Sequence, residues 1–215
     1  MSSIKLKGST SGDVTITVPA EAGTNTITIP ATTGTMLDTN SVIASSKLPT
    51  GSVIQTVSAS DATLYALSIS NSTSDHAGSI AYSITPSSSS NKVMIHFTIP
   101  QVKQAQHAGL RVRLYRDIGG AGYSHVTGLS GTASSNKQAA LFGNYDTNGD
   151  GNRSATTITG TIVDSPNTTS ACNYKFYFGA GDGATTVYVN RTQNDTDNNY
   201  TSRTRTHVSL MEIAG

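Results

Sequence analysis

The chain has 215 residues, with 14 Lys and Arg against 13 Asp and Glu, a net charge of +1, and 13% charged residues, about half the ~25% of an average soluble domain. So balanced a charge supplies no field to hold a phosphate backbone or an anionic bilayer, which argues against nucleic acid and membrane as partners. The single cysteine, Cys172, excludes an internal disulfide framework and any Cys-rich metal site, and no apolar run approaches the ~20 residues of a spanning helix. Ser and Thr together fill more than a quarter of the chain, leaving few strong helix formers. The start, MSSIKLKGSTSGD, has no hydrophobic run of signal-peptide length, so synthesis in a cytosol without ordinary export is expected.

The first segment reads as short strands broken by turns. Ile4 and Leu6 alternate with Lys5 and Lys7; Val14, Ile16 and Val18 alternate with Thr15 and Thr17; Ile27 and Ile29 alternate with Thr26 and Thr28. Period two puts each apolar set on one face of a strand. The phrases VTITVPAEAGT and TITIPATTGT form a weak repeat, short of the three copies a solenoid needs. A sheet of residues 1–37 is too small to offset an ordering entropy of about 1–2 kcal/mol per residue. It has to pack on other copies, on a partner or on the rest of the chain. Residues 38–52, DTNSVIASSKLPTGS, read as a connector, which favours copies or a partner.

From Val53 the strand signals crowd together: VIQTVS, LYALSIS, SIAYSITP, KVMIHFTIP, LRVRLYRD, KQAALFGNY, TTITGTIVD, CNYKFYFGA, ATTVYVNR and THVSLMEIA. The cleanest alternation sets Leu110, Val112 and Leu114 against Arg111, Arg113 and Tyr115. The turn motif SSNK occurs twice, ending at Lys92 and at Lys137. Some ten strands at short spacing, without a helical window, predict an all-β fold: an N-terminal β-arm followed by an antiparallel β-sandwich or jelly-roll-like domain over 53–215. The last strand, Thr206–Ala214, is expected to be central to it.

Candidate chemistry is sparse. In DTNGDGN, Asp146, Asn148 and Asp150 followed by Gly151 match the first half of a calcium loop, where alternate oxygen ligands and a sharp glycine turn suit Ca2+. Position twelve is Thr157 rather than a bidentate Glu, and an Asx/Gly turn is the other reading of this segment. Asp195 and Asp197 form a second oxygen-rich cluster, suited to a cation or a sugar or simply to a solvated loop tip. Asp182 in GAGDG precedes a strand, so that loop is no phosphate cradle. The five histidines show no metal spacing, GxSxG is missing, and the two Glu, Glu21 and Glu212, give no paired-carboxylate site. The chain is therefore expected not to be an enzyme and to carry no cofactor other than this Ca2+ candidate. Tyr123, Tyr145 and Tyr200 fall in predicted loops and are candidates for surface contact with sugar or protein. Tyr177 and Tyr188 fall in strands and are placed in or beside the core. The arginines on strands read as a solvated, edge-protecting face.

The N-terminal phrase IKLKGSTSGDVTITVPAEAGTNTITIPATTGTML resembles the segment common in tail-fibre and other virion structural proteins of marine tailed phages, cyanophages among them. GSVIQTVS, SITPSSSSNKVMI, VYVNRTQNDTDN and the terminal SLMEIAG resemble the distal domain that often accompanies it. The resemblance implies a homotrimeric virion protein on the tail or capsid surface, made in the host cytoplasm. Residues 1–37 would then meet other virion proteins, 38–52 connect, and 53–215 form a distal head. The expected function is a short tail fibre or fibre-like protein contributing to host attachment, with a host cell-surface glycan or protein as partner. The alternative is a capsid decoration or head-fibre protein with a purely structural role.

Overall fold

The computed structural model describes residues 3–17, 19–21, 23–24, 26, 31, 43–44, 47–105, 109–144, 155–181, 183–199 and 201–215. The chain divides into two compact units, Met1–Val42 and Ile43–Gly215. In the first, β1 (Ser3–Lys7) and β2 (Asp13–Thr17) form an antiparallel hairpin. Its register sets Ile4 opposite Ile16 and Leu6 opposite Val14, so the period-two pattern gathers all four apolar side chains on one face. That face is open to solvent, with Ile4 and Val14 each 64% exposed. On the other face Lys5 pairs with Asp13 at 2.8 Å. The third predicted arm strand, around Ile27 and Ile29, lies outside the described residues.

The second unit is an antiparallel β-sandwich, the predicted all-β class. Its strands are β3 (Val53–Asp61), β4 (Tyr65–Ile69), β5 (Asp75–Ala77), β6 (Tyr82–Ile84), β7 (Lys92–Gln104), β8 (Leu110–Ile118), β9 (Ser124–His125), β10 (Phe142–Asn144), β11 (Thr156–Asp164), β12 (Cys172–Ala180), β13 (Thr185–Val189) and β14 (Thr206–Ile213). The front sheet runs β3-β14-β7-β13-β4, with β11 on the free side of β7. The back sheet runs β10-β8-β12-β5, with β9 also on β8 and β6 also on β12. The C-terminal strand β14 is internal, between β3 and β7, as its strong alternation predicts.

Strand β7 is long enough to serve two neighbours. Lys92–Thr98 pairs with β14, and Val102–Gln104 with β13. The handover falls at Pro100, which lacks an N–H, and at Gln101, whose φ of 53° is left-handed; the register against β11 shifts at the same place, the mark of a bulge that bends a strand.

Inward residues of both sheets merge into one core: Val93, Ile95, Phe97 and Ile99 from β7, Leu110, Val112 and Leu114 from β8, Tyr174, Phe176 and Phe178 from β12, Val208 and Leu210 from β14. Phe97 and Phe176 join the sheets with ring centroids 4.8 Å apart. Gly160 on β11 lies opposite Phe97, where a Cβ would come within 2.9 Å of the ring. Cys172 is fully buried as a free thiol, and burial pushes its pKa up.

Buried charge at the rims is fully engaged. Glu212 receives hydrogen bonds from Gln55 Nε2 (2.6 Å), Ser87 N (2.6 Å), Ser87 Oγ (2.7 Å) and Asn91 Nδ2 (2.6 Å). The first SSNK motif thus folds its turn onto the last strand. Burial pushes the Glu212 carboxyl up, but these donors outweigh it and hold it below its ordinary value. Asp61 is likewise lowered against burial, by Thr63 N (2.9 Å), Ile80 N (2.9 Å) and Tyr65 Oη (2.8 Å). Burial and the Asp61 charge push Tyr65 up to about 12.

Candidate interaction surface

The outer face of the back sheet carries the densest chemistry. Alternation turns Arg111, Arg113 and Tyr115 of β8 outward, as predicted, and the β8–β12 register sets Tyr115 opposite Lys175 and Arg113 opposite Tyr177. Paired residues of antiparallel strands share a face, so Tyr115 and Tyr177 meet on a diagonal. Their rings stack at 3.9 Å. His125 stacks on Tyr115 at 5.6 Å, and Tyr123 flanks Tyr177 at 6.3 Å. Lys175 Nζ closes the row, 4.9 Å above the Tyr123 ring, a cation–π contact. Gly119, Gly120 and Gly122, all at positive φ, turn the chain back between β8 and β9, and Gly122 N donates to Asp117 Oδ1 at 2.9 Å, which places Tyr123 beside the sheet.

A carboxylate fixes the base of this row. Asp75 on β5 receives Arg111 Nε at 3.1 Å and Nη2 at 2.6 Å on one oxygen, and Arg113 Nη1 at 2.7 Å and Tyr115 Oη at 2.9 Å on the other. Burial pushes the Asp75 carboxyl up, but the two guanidinium groups prevail and keep it below its ordinary value. Arg111 is only 3% exposed, and its Nη1 donates to the carbonyls of Ser72 and Ala180. Arg113 Nε donates to the Ala139 carbonyl at 2.7 Å. A Cβ at Gly179 would overlap Asp75 Oδ1 and lie 2.5 Å from Arg111 Nη2, so this ion pair requires glycine there. Burial and the nearby guanidinium of Arg113 lower the His125 pKa.

These positions correct two expectations. Tyr177 and Tyr188 lie half-buried on outer sheet faces, not in the core, because alternation in β12 and β13 turns them away from it. Arg111 is no solvated strand arginine but the buried partner of Asp75. Of the predicted surface candidates, Tyr123 belongs to the aromatic row. Tyr145, Tyr200 and the calcium-loop residues Asp146, Asn148 and Asp150 lie outside the described residues, as does Asp182.

Asp195 and Asp197 border a polar depression of about 410 Å³ with Thr196, Asn198, Thr201 and Arg203, in the loop between β13 and β14. Asp195 is held there by a fork from Arg203, Nε at 3.1 Å and Nη2 at 2.9 Å, with Arg191 at 3.7 Å. The Arg203 hydrogen bonds lower its pKa. A carboxylate so neutralised is a poor cation ligand. Among the described residues no three His, Cys, Asp or Glu cluster as a metal site.

The half-buried rings, the Lys175 ammonium and the hydroxyls of the row make an amphipathic contact strip. Sequence reasoning missed Asp75, Lys175 and Tyr177 as members and gave His125 only as a loop or strand-end candidate. The alternation of β12 carried a signal for Tyr177 and Lys175; the pairing of β12 with β8 had none.

No family model matches the chain, and no curated protein matches it. A solved structure titled "Structure of infectious bursal disease virus Gx strain" aligns over 85% of this chain and 43% of its own, with 13% identity and a TM-score of 0.32. The chain therefore spans less than half the length of that protein, and a TM-score of this size does not establish a shared fold.

Proposed function

We propose that the chain is a structural component of a phage virion, a short tail fibre or fibre-like protein contributing to host attachment. The observation that carries the reading is the two-part construction. A hairpin presents four apolar side chains to solvent, while the sandwich buries a complete core of its own. Such a hairpin is marginal alone and gains stability when it is covered. The resemblance of residues 1–37 to virion attachment segments gives that cover an identity: other virion proteins or other copies, in a homotrimer. The row formed by Tyr123, Tyr177, Tyr115, His125 and Lys175 is then the surface offered to a host glycan or protein, since tyrosines supply contact area at small entropic cost.

The test uses purified full-length protein on susceptible cells. Saturable binding and competition with infecting particles are expected; no binding at micromolar concentration overturns the attachment role. Gold labelling of intact particles separates the alternative. Label at the tail fits a fibre, whereas label over the whole shell fits a capsid decoration or head-fibre protein.

A further inference from the structure

The two sheets end differently. The back sheet finishes in β5, β6, β9 and β10, each of two or three residues, the short edges by which proteins blunt unpaired strands. The front sheet has a five-residue edge in β4 and two long edges, β3 and β11, nine residues each. Neither carries a charge or a proline before its terminal Asp61 or Asp164. Among the described residues β3 pairs with β14 alone and β11 with β7 alone. Val57 on β3, Ile80 close by and Val163 on β11 are exposed apolar side chains. The turn Thr127–Leu129 packs near β11, yet Thr159, Thr161 and Val163 remain exposed.

We infer that β3 of one copy pairs with β11 of the next, joining front sheets head to tail into a closed ring. Strand direction fits. β14 is antiparallel to both β3 and β7, and β11 is antiparallel to β7, so β3 and β11 run in opposite senses. Rotation about an axis along the strands preserves those senses, and β3 meets the neighbour's β11 antiparallel, as in every other pair of the sheet. A two-fold pairing of β3 with itself would leave β11 open in each copy, whereas the heterologous contact covers both long edges at once and closes when the rotation closes.

The side chains fit as well. Ser58, Ser209, His96 and Thr161 stand opposite one another in one line across the sheet. Ser58 Oγ meets Ser209 Oγ at 2.8 Å, and His96 Nδ1 meets Thr161 Oγ1 at 2.8 Å. The line ends in a hydroxyl at either edge, and a neighbour's Thr161 beside Ser58 continues it. This contact involves the sandwich alone and does not depend on the virion reading.

The experiment is sedimentation velocity at micromolar concentration on residues 43–215, the compact unit that buries its own core and lacks the arm, with thermal melting as the folding control. Wild type is expected to form one discrete oligomer. Ser58→Lys and Thr161→Lys are each expected to reduce it to a monomer that still melts cooperatively. The double variant Ser58→Lys/Thr161→Asp is expected to regain the oligomer by placing opposite charges across the contact. A monomeric wild type, an open polydisperse polymer, an oligomer that survives either lysine variant alone, or a double variant that stays monomeric overturns the pairing.

Discussion

On the back sheet Asp75 binds two arginines and a tyrosine. Arg111 is buried against Asp75 and two carbonyls, so Arg111→Met leaves the carboxylate with Arg113 and Tyr115 only. Breaking one arm of such a buried pair is expected to cost about 3–5 kcal/mol, read from urea unfolding. Gly179→Ala attacks the same pair through shape, since its methyl group would sit between the two partners, and should lower the urea midpoint in the same direction. The three engaged carboxylates Asp61, Asp75 and Glu212 all titrate below their ordinary values. As pH falls, the unfolded chain takes up these protons first. Their stabilisation is therefore whole above the ordinary carboxylate range of about pH 4 and is lost as pH drops toward the folded values. Urea midpoints measured from neutral to acid pH should decline in that window, and Glu212→Gln should flatten part of the slope. The long-range partnerships are not legible in sequence: Asp75 and Arg111 are 36 positions apart, and only the pairing of β5 and β8 with β12 brings them together.

Among the elements, strands with sustained alternation were legible. β3, β7, β8, β11, β12, β13 and β14 all coincide with period-two or continuous apolar runs, because burial on one face imposes that period. β5 (Asp75–Ala77) and β9 (Ser124–His125) were not, since strands of two or three residues carry no period and exist only through their neighbours. Gly160 on β11 faces the Phe97 ring. Gly160→Ala adds a methyl group to a filled space, and overpacking of that kind costs about 1–3 kcal/mol. Thermal melting should show the loss, and Phe97→Leu in the same background should recover part of it by making room.

For the molecule as a whole, the fold class was readable from composition and pattern, whereas the order of strands and the back-sheet row were not, because tertiary pairing decides both. If that row is the attachment surface, Tyr177→Ala combined with Lys175→Glu should weaken cell binding at least tenfold while the melting temperature stays within a few degrees, since both side chains stand outside the core. Equal binding by wild type and variant in a titration on cells would move the surface elsewhere. Cys172 carries a last consequence. It is the chain's one sulfhydryl, sealed between the sheets with Sγ 3.5 Å from the Ser170 carbonyl. An alkylating probe therefore finds nothing to modify until the layers part, and the pace of its uptake clocks how often the sandwich breathes open.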